Sequence, residues 1–513
     1  MSNSAPLWIA LLPFLGALVV LVEGRIRSAS PPSPIDSGET TQRAELVRWS
    51  AVITLAAALV LSLLAIFAGT LETHFEAPPL VLPFGTWQAR LTIDGASSIV
   101  LPTFLLAALI AILAAPRRAL DARSTAIALG TLGSGLFVAM AMDSVTLALG
   151  WTLGAALPIG AAAGKRTPSR RAVVVFRTLR VVLLVVGLAL AVVGAVQADL
   201  ERPFELSAVT SPELPFAMAT LVLVTLAALA RMAAFPFHVW LVPFVDEASP
   251  LLFAVSFAAN VGLVLFLRVA LPLASALIDD AVPFVAVVGL VTALHAALRA
   301  LSEQRLRRLI ALVVGSQLGT ILVGAAALRD QAATGAMVGV ASVAFGATGL
   351  LLVASAVEFR VGSVNVRMGT SSPRAGVTTG LSAAMPRASL AWFVLAFAVV
   401  GIPGSLAFVA EDLVLHGLLH AHPIFAVLAL LASVLNAVTL FRAGASLFLG
   451  TPSRTFAVPD LLLRERVALV VVALLLFGVG LAPHRLVTAA TSAAHSLAGV
   501  VEVEHHGAPE HLR

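Results

Sequence analysis

The chain has 513 residues, 59% of them hydrophobic and 12% charged, with a formal net charge of +5 and no cysteine. A soluble domain carries about 25% charged residues, so this composition excludes a soluble enzyme and implies an integral membrane protein. The absence of cysteine excludes disulfides, thiolate metal sites and cysteine-held iron–sulfur clusters. The basic residues are scattered over short loops, which does not suggest a nucleic-acid partner.

Continuous rather than alternating apolar runs select helices over a barrel. Their lengths predict about fourteen spanning helices, at roughly 6–23, 48–69, 95–115, 124–142, 144–163, 172–197, 214–235, 250–272, 281–301, 307–328, 333–357, 387–410, 422–447 and 467–490. The first run lacks a basic flank and reads as a spanning helix, not a cleaved signal. The second loop, with Gly85 and Gly95 as punctuation, reads as a small outer hairpin. Loop 360–386, rich in Gly, Ser and Thr, reads as mobile. The tail 491–513 is short and polar, and its histidines are read as belonging to an unstructured end.

Arginine alternates with acid along these loops. Arg25, Arg43, Arg48, Arg117, Arg123, Arg166, Arg305, Arg307, Arg360, Arg387, Arg442 and Arg464 fall on one set. Glu72, Glu76, Asp143, Asp199, Glu205, Asp279 and Asp280 fall on the other. Basic residues mark cytoplasmic loops, so the expected topology places both termini outside.

Two of the helices are interrupted. One breaks at Pro236, in RMAAFPFHVWL, and the other at Pro403, in VVGIPGSLAFVAEDL. They sit five helices apart, so repeats of helices 4–8 and 9–13 would lie inverted in the membrane. The expected organisation is an N-terminal segment over 1–115, a first five-helix repeat over 124–272, a second over 281–447, a C-terminal helix over 467–490 and the tail. Broken helices in corresponding positions of two inverted halves point to a transport path, because a break frees backbone groups within the membrane.

The titratable and charged residues cluster near these breaks. Arg231 lies one turn before the first break, where it is either a fixed charge on an ion path or a side chain snorkelling to the interface. Arginine stays protonated, so it orders water or biases a neighbour but does not relay protons. His238, just past the break, is a proton shuttle or a hydrogen-bonded structural residue. His295 and Arg299 share one helix face. Asp246 and Glu247 lie in the turn that follows. Adjacent Glu411 and Asp412 follow the second break, with His416 one turn on; within the membrane they are costly unless hydrated or paired, which makes them the leading proton-site candidate. Gln317, polar in mid-helix, is either on the path or an interhelical hydrogen bond. No phosphate loop, dinucleotide fingerprint, nucleophile motif or metal-ligand set appears, so no catalytic site, cofactor or metal is expected.

RMAAFPFHVWL resembles the broken-helix signature of the antiporter-like subunits of respiratory complex I and of multisubunit sodium/proton antiporters. LRALSEQRLRRLIALVVGSQLG, the MPRASLAWFVLAFAVVGIPGSLAFVAEDLVLHG stretch, IDGASSIVLP and LALGWTLGAALP are similar to further family stretches, so that the resemblance covers about residues 90 to 450. It implies an all-α fold with fourteen helices and two inverted five-helix bundles. It also implies proton translocation as one subunit of a larger complex in the bacterial inner membrane. Departures are specific. The family's fifth-helix glutamate falls on Thr152 and its seventh-helix lysine on Arg231. The eighth-helix histidine falls near Val255 or Ser256, the eleventh-helix lysine near Ala347 and the twelfth-helix lysine on Glu411, with Asp412 keeping the next aspartate. The single lysine, Lys165, is in a loop, so relay through lysine is chemically unavailable.

The run NVGLVLFLR also resembles the membrane subunit of two-component inorganic-carbon (bicarbonate/CO2) transporters, which works with a large zinc-containing partner. Three readings follow: a proton-translocating respiratory subunit, the membrane half of a carbon-uptake machine, and a structural subunit that does not conduct. The partners expected are other membrane subunits, the lipid bilayer and, under the second reading, that zinc protein.

Overall fold

A computed structural model describes the chain apart from residues 1–3, 29–36, 68–72, 84, 118–119, 163–167, 248–260, 278–280, 328–329, 363, 365, 367–379, 451–457 and 506–513. The described residues are almost wholly helical. Helices α1 (Ala5–Ser28) and α2 (Ser37–Phe67) come first. Four short strands follow, β1 (Thr73–Glu76), β2 (Leu80–Leu82), β3 (Gly85–Trp87) and β4 (Arg90–Ile93). They nest as two antiparallel pairs, Thr73 opposite Ile93 and Leu80 opposite Trp87, which is the hairpin expected for the second loop.

Next come α3 (Gly95–Ala114), α4 (Ala122–Met140), α5 (Ser144–Ala162), α6 (Pro168–Gln197), the short α7 (Leu206–Val209), α8 (Ala217–Met232) and α9 (Leu241–Glu247). Helix α10 covers 261–277 and contains a π-helical turn at Phe266–Ala270. The rest of the chain forms α11 (Ala281–Ser302), α12 (Leu306–Ala326), α13 (Asp330–Val361), α14 (Pro386–Val400), α15 (Leu406–Ala421), α16 (Pro423–Phe448), α17 (Leu463–Leu481) and α18 (His484–His505).

Among the described residues nine helices are long and apolar enough to cross a membrane, or ten if the bent pair α17 and α18 counts as one span. The other expected spans fall on shorter pieces, including Ser144–Pro158, Val261–Ala274 and Pro386–Val400. The protein is thus a multi-pass membrane protein. Helices α12 and α13 form its centre, buried along nearly their whole length, while α2 and α16 keep apolar faces outward. Close helix contact at the centre depends on small residues. A Cβ on Gly319 of α12 would lie 2.5 Å from the Ala293 nitrogen of α11, so only glycine permits that approach.

Two boundaries differ from expectation. The helix after the second break runs on to Ala421, and α16 starts at once, at Pro423; apolar sequence on both sides conceals a turn made by one residue, His422. The C-terminal helix stops at Leu481 and restarts at His484 with a 76° bend, because Pro483 has no N–H to continue the ladder. The restarted helix reaches His505, so the beginning of the tail is helical rather than unstructured.

Candidate functional site

Each helix break is completed by side-chain hydrogen bonds. Helix α8 ends at Ala233, whose φ of 55° is left-handed, and the chain passes through Phe235–Pro236 into a tight turn at Phe237–Trp240. The last carbonyls of a helix lack intrahelical donors. Here Leu229 O accepts from the Ala234 N–H at 3.0 Å, and Ala230 O accepts from the Trp240 indole at 2.9 Å. Phe235 N–H, in turn, donates to Thr292 Oγ1 of α11 at 2.9 Å. Trp240 and Thr292, which complete this break, were not singled out from the sequence; for Trp240 the spacing from the arginine was the available signal. Helix α14 ends the same way. Gly401 and Gly404 have φ of 82° and 93°, Ser405 caps α15 through its 3.2 Å bond from Phe408 N–H, and Gln317 Nε2 donates to Val399 O at 2.8 Å.

Adjacent Glu411 and Asp412 face different ways, as consecutive helical residues lie about 100° apart. Glu411 points inward and accepts a 2.8 Å hydrogen bond from Ser433 of α16. It lines a cavity of about 20 Å³ with Gln317, Thr320, Ser342 and Ala407, room for about one water. Asp412 points outward and meets His416, whose Nδ1 is 3.3 Å from Asp412 Oδ1 and 2.9 Å from the Asp412 carbonyl. Ala347, the expected site of the family's eleventh-helix lysine, is buried in α13.

Three residues along α16 from Ser433, Asn436 donates to Ser316 Oγ at 2.9 Å, and Ser316 donates to Ala293 O of α11 at 2.8 Å. Ser316, Asn436 and Gln317 are all buried. Two residues past Ala293 stands His295, with its ring centroid 4.5 Å from that of His238 and 5.5 Å from that of Phe235. The structure therefore joins His238 and His295, which the sequence could not pair, across the first break. Arg299 lies one turn further on the same helix and is exposed. Ser316 and Asn436 are thus buried polar groups close to the half-buried His238 and His295 on one side and to the half-buried Ser433 and Glu411 on the other.

Arg231 is 8% exposed, so it does not snorkel out to the interface. It lines a small cavity with Thr131, Ser134, Trp151 and Arg180. Thr152 turns away from it. Its hydroxyl donates to Ala148 O at 2.7 Å, and the residue lines a separate apolar groove of about 710 Å³ between α5 and α6. The expected replacement of a glutamate–lysine pair by Thr152 and Arg231 is therefore not a contact; Trp151 is the α5 side chain that meets the arginines. Arg177 and Arg180 of α6, each 4% exposed, were not singled out from the sequence, although two arginines within a spanning helix are the signal. Asp246 and Glu247 end α9. The Asp246 and Glu247 side chains lie outside the described residues, as do Val255 and Ser256.

Comparison with known proteins agrees with this architecture. The family described as NADH:quinone oxidoreductase/Mrp antiporter, TM, matches residues 141–436. The F(420)H(2) dehydrogenase subunit M of Methanosarcina mazei is 32% identical over 217 residues, 41% of this chain and 41% of that protein. NADH-quinone oxidoreductase subunit 13 of Thermus thermophilus is 30% identical over 213 residues, 40% of this chain and 44% of that protein. The chain thus spans less than half the length of these curated relatives. A chain in the structure of respiratory complex I from Thermus thermophilus superposes with a TM-score of 0.82 at 23% identity, over 97% of this chain and 99% of that one. With more than half its length matched, the chain belongs to the NADH:quinone oxidoreductase/Mrp antiporter transmembrane family.

Proposed function

We propose that this chain is a proton-translocating, antiporter-like subunit of a complex of the NADH:quinone oxidoreductase type. It works beside other membrane subunits in the bacterial inner membrane. The observation that carries this reading is Glu411: a carboxyl group beside a helix break, facing a small cavity, accepting a hydrogen bond from Ser433 and lying near the Asn436–Ser316 bond one turn along α16. Protons pass between the histidine pair and Glu411 with the help of ordered water. Gln317 holds the break open, and Arg231 contributes fixed charge. In this reading Arg299 and Asp412 serve the ends of the route, with Asp246 and Glu247 as supporting residues. The fourteen-span, inverted-repeat arrangement belongs to the same proposal.

Outside termini are supported by which loops meet. Arg117 pairs with Glu45, Arg307 with Glu358, and Arg360 with Glu465, all joining arginine-rich loops. Arg90 pairs with Glu76 and Glu205, and Trp87 donates to Asp143, all joining the acidic set. The chain has no cysteine, so Thr86→Cys and Gln304→Cys should label from opposite sides of intact cells, Thr86→Cys from outside.

The respiratory reading is preferred to the inorganic-carbon one because the relatives above carry the names of quinone and F(420)H(2) oxidoreductase subunits. The zinc-containing partner goes with the carbon reading. The test is proton flux by the assembled complex in liposomes, with Glu411→Gln alongside the parent. Flux should fall to the background of the remaining subunits. Unchanged flux would leave the non-conducting, structural reading in its place.

A further inference from the structure

The first half of the molecule buries guanidinium charge around a cavity with no acid among its described lining residues. Arg180 of α6 and Arg231 of α8 line this one cavity between α4 and α5, and Arg177 lies one turn from Arg180. No carboxylate is among the described residues lining it. Arginine does not shed its proton to relieve the cost of burial, and a buried ion without compensation costs several kcal/mol.

Arg177 is partly compensated by the face of Phe244, 4.8 Å from its guanidinium carbon. Arg180 is compensated less. Its Nη2 reaches Gly154 O at 3.3 Å and its carbon stands 5.9 Å from the Trp151 ring. Its Nε is fully buried and has no hydrogen-bond acceptor among the described residues. The two hydroxyls in the wall do not neutralise it. Thr131 donates to Ile127 O and Ser134 to Thr131 O, both at 2.7 Å, within their own helix. The cavity is about 10 Å³, space for one small ion and not for an organic acid.

We propose that this cavity, which Arg231 also lines, binds one monovalent anion of the halide class against Arg180. The anion accepts from the Arg180 guanidinium and offsets the charge that a protein carboxylate would otherwise have to supply. This goes beyond the proton-path reading and stands whether or not Glu411 conducts, because it concerns a different cavity and a different ligand.

Trp151 lines the same cavity, which gives the test an internal probe. Purified full-length chain in gluconate buffer is titrated with bromide, a heavy-atom quencher, and the Trp151 signal is isolated by difference from Trp151→Phe. Saturable quenching, relieved by chloride, is expected, with the half-saturating bromide concentration raised about tenfold in Arg180→Gln and in Arg180→Lys, which keeps the charge but removes Nε. Linear quenching that does not saturate, or quenching in both arginine variants identical to the parent's, would overturn the proposal. Relief by bicarbonate and not by chloride would overturn the halide assignment. The parent titration decides between saturable and linear quenching even where an arginine variant does not fold.

Discussion

Gln317 of α12 donates a 2.8 Å hydrogen bond to the carbonyl of Val399, one residue before half-helix α14 ends. Trp240 does the equivalent at the other break, donating to Ala230 O at 2.9 Å. At both breaks a carbonyl set free is satisfied by a side chain, from the following turn at the first and from α12 at the second, so neither of these two acceptors is left unpaired in the apolar interior. Gln317→Leu and Trp240→Phe each leave a buried carbonyl unsatisfied and should cost about 1–3 kcal/mol. Thermal unfolding of the purified chain reads this loss, and a midpoint unchanged in both variants would refute the capping role.

Ser433 supplies the hydrogen bond to the Glu411 carboxyl in the described structure. A hydrogen bond to a charged acceptor contributes about 1.5–3 kcal/mol. Ser433→Ala should therefore shift the pH at half-maximal flux upward, since the deprotonated carboxylate loses its donor. Ser433→Thr, which keeps the hydroxyl, should restore the parent profile. A flux–pH curve unchanged in Ser433→Ala would detach this serine from the path.

Gly401 is held at φ 82°, and a Cβ there would approach Glu411 Oε2 to 3.2 Å. Gly401→Ala combines a left-handed backbone, costing about 1–2 kcal/mol for an L-residue, with pressure on the carboxyl. Stability and flux should both fall. Gly450→Ala is the control for backbone strain alone, having φ 90° with nothing within 4 Å of its Cβ position; it should lower stability and leave flux unchanged.

Asp94 caps α3 through Ser97 N–H at 2.8 Å and pairs with the buried Arg268 of the π turn at 2.5 Å. Asparagine caps about as well as aspartate, so Asp94→Asn keeps the cap and removes the charged acceptor that faces Arg268. Breaking a buried pair costs about 3–5 kcal/mol, and losing the cap as well adds about 1 kcal/mol. The expected order of melting temperature, from highest to lowest, is parent, Asp94→Asn, Asp94→Ala. Equal values for parent and Asp94→Asn would show that the ion pair contributes nothing.

Much of this protein was legible in one dimension. Apolar runs of membrane length fix the class because backbone in lipid must bond to itself. Both breaks were legible because Pro236 and the Gly401–Gly404 segment cannot continue a helix. Glu411 and Asp412 stood out as costly charges after a break. The direction each faces did not, because it depends on the helix rotation set by packing against α12, α13 and α16; only there does Glu411 meet Ser433 while Asp412 turns out to His416. The same limit hid the first half. Thr152 and Arg231 were expected, from the resemblance, to stand for a family pair, yet the rotation of α5 puts Trp151 beside the arginines and Thr152 in the outer groove. His238 and His295 are far apart in the chain, and their ring contact exists only because α11 crosses the first break. Sequence determined which segments span, where they fail and which charges are costly, since those follow from local chemistry. Tertiary structure alone decided which of those charges share a cavity, since that follows from how the helices pack.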